Sequence, residues 1–143
     1  MPIKVIEHGS AQYKEMVALR MEILRKPLGL TFSSEELEKE KKDLLIGAFE
    51  DAKLLACCIL TPLSKTSYKL RQMAVSQKMQ RLGIGAAMLH FAENLARDAH
   101  YNTMIINART TAIGFYEKMG YSIHGDEFIE VGLPHVEMRK KLL

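Results

Sequence analysis

The segment of this chain best suited to chemistry is Gln80-Arg81-Leu82-Gly83-Ile84-Gly85-Ala86. It follows an apolar run ending Met73-Ala74-Val75 and opens an amphipathic pattern that predicts a helix to about His100. Two glycines at a strand-to-helix junction let a ligand approach backbone N–H groups that have no partner inside the helix. Such a junction is suited to an anion, most often a phosphate. Lys69, Arg71, Lys78 and Arg81 gather nearby in sequence, and local positive charge fits a polyanionic small ligand. For Lys69 and Lys78 a solvated strand edge and loop is an equally good reading. The turn is not a Walker A loop, because Ala86-Ala87 follow Gly85 where Lys-Ser/Thr is required. Nor is it a dinucleotide fingerprint, because position 88 is Met and the preceding strands read as antiparallel.

The elements around this turn alternate between helical and strand periods. Ile3 to Glu7 reads as a short strand. Ser10 caps a helix with Tyr13, Met16, Val17, Met21 and Leu24 at helical spacing, stopping near Pro27. Ser33 with Glu36 forms a capping box ahead of a charged helix to about Lys42. Leu44–Glu50, Leu54–Leu60 and Tyr68–Val75 then read as an antiparallel meander, turning at Asp51-Ala52-Lys53. In the helix after the glycines, Ile84, Met88, Phe91, Ala92, Leu95 and Ala99 form the apolar stripe, with His90, Glu93, Asn94, Arg97 and Asp98 largely off it. Met104–Asn107 is a short buried strand. Thr110 or Thr111 caps the helix Ala112–Met119, which Gly120 ends. Two final strands follow, from Ile123 and over His135–Leu142, joined across Gly132-Leu133-Pro134.

A length of 143 residues fits one domain, 1–143, without linker or repeat. No apolar run approaches the roughly 20 residues that span a bilayer. Met1-Pro2-Ile3-Lys4 carries no signal-peptide apolar region, so the protein is read as cytoplasmic with no membrane partner. A net charge of +3 is too small to argue for nucleic acid. Cys57 and Cys58 are adjacent, point to opposite faces of a strand and read as two small apolar residues. His90 and His100 lie ten apart on one helix and do not share a face, so no metal is expected. The nine methionines read as core filler.

Gln80-x-x-Gly83-x-Gly85 after a strand resembles motif A of the GNAT superfamily, the acetyl-CoA-dependent N-acetyltransferases. Ala112-Ile113-Gly114-Phe115-Tyr116-Glu117-Lys118-Met119-Gly120-Tyr121 is similar to motif B of that family. The run Phe128 to Met138 resembles an ElaA-like subgroup. The resemblance covers nearly the whole chain. It implies an α+β fold: a central, mostly antiparallel sheet of about six or seven strands, splayed between strands 4 and 5 and flanked by about four helices.

The same resemblance implies an acyltransferase that moves acetyl from acetyl-CoA directly to a primary amine of a small molecule or peptide. It implies that Gln80, Arg81, Leu82, Gly83, Ile84, Gly85 and Ala86 hold the pyrophosphate. The pantetheine arm would run beside the strand Gln72 to Val75, with Met73, Ala74 and Val75 acting through main-chain groups, where an N–H would polarise the thioester carbonyl. Asn107, at a strand end, is either a cofactor contact or a turn residue. Phe115 packs near the pantetheine or, preferably, in the core. Tyr116 aligns with the general acid that protonates the departing CoA thiolate. Glu130 and His135 lie on the acceptor side as candidate bases; His135 can titrate near neutrality or serve in a strand hydrogen bond. The acceptor pocket falls over Arg25 to Phe32 and the tail, where Arg20, Glu22 and Arg25 either read a charged acceptor or, preferably, are solvated helix residues. Homodimers are common in the family. A CoA-binding module without turnover and a transferase of another acyl group are the competing readings.

Overall fold

In a computed structural model describing residues 2–80 and 82–143, eight strands form one sheet in the order β1-β2-β3-β4-β5-β8-β6, with β7 also paired to β8. The strands are β1 Ile3–Ile6, β2 Leu44–Glu50, β3 Lys53–Pro62, β4 Ser67–Val75, β5 Thr103–Arg109, β6 Ser122–Ile123, β7 Phe128–Glu130 and β8 Leu133–Lys141. The helices are α1 Ala11–Arg20, α2 Ser34–Lys39, α3 Ile84–Asp98 and α4 Ile113–Lys118. Every neighbouring pair is antiparallel except β4 and β5, which α3 joins as parallel strands.

Local sequence accounts for the boundaries. The Ser10 hydroxyl accepts from the Tyr13 N–H, and Ser33 and Glu36 form the complete capping box. Asp51 and Ala52 both take positive φ, 49° and 63°, as a two-residue hairpin between right-twisted strands requires. After α1 the chain widens into a π-helical turn, Met21–Arg25, before Lys26–Leu28 tighten and Gly29 ends the run at φ 70°. At the far end, neither Thr110 nor Thr111 caps α4. They form a tight turn, and Ala112 takes the cap position without a side-chain bond. The tail holds three strands, because β6 ends at Ile123 and β7 turns into β8 across Val131 and Gly132, whose φ values of 46° and 77° are those of a tight hairpin.

The sheet is buried on both faces at its centre. Seven consecutive β3 residues, Leu54 to Leu60, are buried. Cys58 joins the core under α3 with Ile84, Met88, Leu89 and Ala92, while Cys57 joins Tyr13, Met16 and Leu19 under α1. Both thiols are free, and burial pushes the Cys57 thiol up to about 12. Met16, Met88, Met104 and Met138 are fully buried.

Two charged residues expected at the surface are buried instead. Arg20 is sealed, donating to both Glu40 oxygens at 2.9 and 2.6 Å, while the Tyr13 hydroxyl donates to Glu40 Oε1 at 2.7 Å. Glu93 lies under α3, where it accepts from the Tyr121 hydroxyl at 2.7 Å and from Lys140 at 3.1 Å. Both escape a periodicity argument because each meets a partner far away in sequence. Breaking a buried pair leaves a charge stranded, which is worse than removing both charges. Glu40→Ala therefore lowers the unfolding free energy by about 3–5 kcal/mol, and the double variant Arg20→Met, Glu40→Leu loses far less. Urea denaturation of both checks this; equal losses would assign the cost to packing volume.

Candidate active site

The site begins where β4 and β5 stop pairing. Their parallel register runs from Ser67 and Thr103 only to Leu70 and Ile106. Past that point, among the described residues, β4 has a strand partner only in β3 and β5 only in β8. A bulge marks the divergence: Gln72 takes φ 56°, and the β3 register skips at this point. A bulge bends its strand and raises the local twist. The edge of β4 from Arg71 to Val75 is left without a β5 partner, and Arg71, Gln72 and Met73 line a cleft of about 480 Å³.

This cleft passes through the sheet. Leu70, Ile106, Ala108 and Tyr116 belong to the core on the α3 and α4 face. Arg71 pairs with Ile59, which packs under α1, so Arg71 and its alternate neighbour Lys69 lie on the opposite face. Lys69 pairs with Ile105, and alternation carries Asn107 and Arg109 to the same side, where His135 is the partner of Arg109. All of these except Ile59 and Ile105 line the cleft. Lys69 and Arg71 thus do not reinforce the glycine turn, as their closeness in sequence implied; alternation turns them away from it.

On the α3 face, Gly83 takes φ 80° and caps α3, and the first helical bond is Ala87 N–H to Gly83 C=O at 3.1 Å. The N–H groups of Ile84, Gly85 and Ala86 have no helical acceptor, and the helix dipole favours an anion before them. Leu82 is exposed, and the Gln80 amide donates to the Val75 carbonyl at 3.1 Å, closing the loop back onto β4. Arg81 lies outside the described residues. Phe115 is not core: it is 38% exposed, lies edge-on to Tyr116 at 5.0 Å and flanks Gly85. A methyl at Gly85 would lie 3.7 Å from its ring.

Tyr116 is buried at the cleft wall, and among the described residues its hydroxyl takes up no hydrogen bond. Burial, reinforced by neighbouring Cys58, pushes its phenol up to about 12, so the proton stays on. Across the sheet three residues from separate strands meet. Asn107 donates to Glu130 Oε1 at 3.2 Å, and Glu130 Oε2 lies 3.6 Å from His135 Nε2. His135 Nδ1 lies 2.8 Å from the Leu133 carbonyl, which only accepts, so Nδ1 carries the hydrogen and Nε2 is left as the acceptor nitrogen facing Glu130. The backbone hydrogen bond read for His135 is present, made to the carbonyl two residues earlier. Asn107 sits inside β5 rather than at its end, and its side chain holds Glu130 on the face away from the glycine turn.

Other lining groups had no side-chain role assigned from sequence. Gln72 lines the cleft with its Oε1 sealed and unpartnered, and Arg109 and Val131 line it too. Strand alternation from Ile105 would have found Arg109; no sequence signal marks Gln72 as a bulge. Arg25 is only half-buried: it reaches the cleft through the π-helical turn, with its guanidinium 4.3 Å from the Phe32 ring centre. Glu22 is exposed and does not line the cleft. Among the described residues no group of His, Cys, Asp or Glu could hold a metal, and no helix is long and apolar enough to cross a membrane.

Comparison with known proteins agrees with this architecture. The chain is 29% identical over 140 residues to the uncharacterized N-acetyltransferase YjcF of Bacillus subtilis (strain 168), covering 95% of this chain and 97% of that one. An aminoglycoside 6'-N-acetyltransferase solved with coenzyme A superposes with a TM-score of 0.82 at 18% identity, over 100% of this chain and 98% of that one. Escherichia coli ElaA gives a TM-score of 0.82 at 14% identity, over 97% and 98%; at these identities the two structures show a shared fold. The family model described as an acetyltransferase (GNAT) domain matches residues 27–142, and the chain belongs to that family.

Proposed function

We propose that this acetyltransferase moves acetyl from acetyl-CoA directly to a primary amine, within the cleft between β4 and β5. The observation that carries the reading is that one cleft through the sheet joins a free strand edge, an unengaged buried phenol and a carboxylate–imidazole pair. The coenzyme A held by the aminoglycoside 6'-N-acetyltransferase of this fold supports the donor.

The residues present fit acetyl-CoA. The N–H groups of Ile84 to Ala86 suit its pyrophosphate, and Gly83 and Gly85 keep side chains out of the way. The β4 edge at Met73, Ala74 and Val75 suits an extended arm that adds to it as a strand would. When bound, acetyl-CoA supplies the activated acetyl group as a thioester. On the acceptor side, an alkylamine with a pKa near that of lysine, about 10.4, arrives protonated. Glu130, steadied by Asn107, attracts the ammonium, and His135 Nε2 takes its proton. The amine nitrogen then bonds to the acetyl carbon as the carbon–sulfur bond breaks, and the nitrogen sheds its second proton to solvent to leave a neutral amide. An N–H of the β4 edge offsets the charge on the carbonyl oxygen. Tyr116 gives its proton to the departing sulfur and regains one from solvent.

Acetyl-CoA and CoA at about 100 times their dissociation constants add roughly 2.7 kcal/mol, a melting shift of about 6–10 °C, with a much smaller shift from ATP. Thermal melts check this, and no shift with any of the three would remove the donor site. Tyr116→Phe keeps the acetyl-CoA shift and lowers kcat by about 10²–10⁴-fold. The acid form of Tyr116 is the working one and is lost only above its raised pKa of about 12. The alkaline limb of kcat should therefore stay level past pH ~10, where an unperturbed tyrosine is half ionised. A fall centred near pH ~10, with activity retained in Tyr116→Phe, would put the acid elsewhere. Binding of acetyl-CoA with no turnover on a broad amine panel would instead make the chain a CoA-binding module.

A further inference from the structure

The cleft is unevenly charged. Arg25, Lys69, Arg71 and Arg109 line it, against a single carboxylate, Glu130. By alternation and pairing the three strand cations lie on the α1 face, and Arg25 follows α1 directly. The donor's pyrophosphate does not account for them, because the glycine turn opens α3 on the other face. Internal partners account for only two. Arg71 uses Nη1 for the Thr61 hydroxyl at 3.2 Å and Asp43 at 3.8 Å. Arg25 reaches Glu36 at 3.4 Å and the Thr31 carbonyl at 3.3 Å. Lys69 and Arg109 have no carboxylate within ion-pair distance among the described residues.

Resting on the acetyltransferase reading, we infer that the acceptor is a small amine that also carries an anionic group, a carboxylate or a phosphate. Its ammonium end meets Glu130 and His135, and its anion meets Lys69, Arg71 and Arg109. Arginine forks suit both anions, and like charge in the same cleft turns polycations away. The aminoglycoside 6'-N-acetyltransferase shares the fold, but an acceptor with several ammonium groups fits this wall badly.

Calorimetry on the CoA-saturated chain tests the inference without requiring turnover. The probes are glycine, β-alanine, γ-aminobutyrate and 5-aminovalerate for carboxylates, O-phosphoethanolamine for phosphate, and butylamine, spermidine and kanamycin as controls. At least one anionic amine should bind tenfold or more tighter than butylamine, with spermidine and kanamycin weaker still. Which anionic series wins separates carboxylate from phosphate. Lys69→Glu and the milder Arg109→Gln should each reduce that preference severalfold, with melts run alongside to verify folding. Polycations binding as well as or better than every anionic probe, or no anionic probe binding, would overturn the inference. An acetyl-CoA melting shift in the wild type would then leave the donor reading standing, whereas its absence would bring down that reading first.

Discussion

The site depends on a parallel strand pairing that stops early. Had β4 and β5 continued to bond past Leu70 and Ile106, the sheet would be closed and its edge groups satisfied. Backbone N–H and C=O groups left unpaired beside a core are costly, so a split in mid-sheet persists only where something holds the strands apart and something polar meets the edge. The bulge at Gln72 does the first. A non-glycine residue at φ 56° stores strain of order 1–3 kcal/mol, which the core on either side of the strand must offset. At the closed end the divergence is anchored: Tyr68 stacks on Tyr101 at 3.9 Å, and the Thr66 carbonyl accepts from the N–H groups of Asn102 and Thr103.

The walls of the split are held by buried polar networks rather than by long helices. α4 has six residues and no side-chain cap, too short to be stable alone, yet it carries Tyr116. Its C-terminal end is tied down by Lys140, which donates to the Met119 carbonyl at 2.8 Å and to Glu93. Glu93 also accepts from Tyr121, whose ring meets Tyr116 edge-on at 5.9 Å. One carboxylate on α3 therefore couples the helix that opens at the glycine turn, the end of the helix bearing the phenol, and β8. The Arg20–Glu40 pair does the corresponding work under α1, joining it to the segment after α2 just before β2 begins.

Most of the fold was legible in sequence because local signals and burial agree there. The caps at Ser10 and Ser33, the meander from Leu44 to Val75 and the glycine turn all combine a periodic pattern with a specific boundary residue. What was illegible depended on distant partners. Glu93 and Arg20 read as solvent-facing because nothing adjacent announces Tyr121, Lys140 or Glu40. Phe115 read as core because aromatic residues usually are; its exposure follows from the split in front of it. The meeting of Asn107, Glu130 and His135 needed the register of β5, β7 and β8, which no single segment encodes. Each was a candidate alone, and only the pairing makes them one group.

The basic residues show most sharply how much turns on facing. Lys69, Arg71 and Lys78 stand close to the glycines in sequence, and a linear reading makes them one patch for one polyanion. A strand sends alternate residues to opposite faces, so nearness along β4 says little about nearness in space. Register with Ile59 and Ile105 turns Lys69 and Arg71 to the α1 face, while the turn beyond Val75 leads into α3 on the other. The two sides of the cleft therefore differ in kind. Open backbone N–H groups and a helix dipole mark one, suited to a phosphate without any side-chain charge. Fixed side-chain cations mark the other. A slot through a sheet joins two such unlike surfaces, because the gap between β4 and β5 opens to both faces while the paired strands on either side keep the surfaces apart.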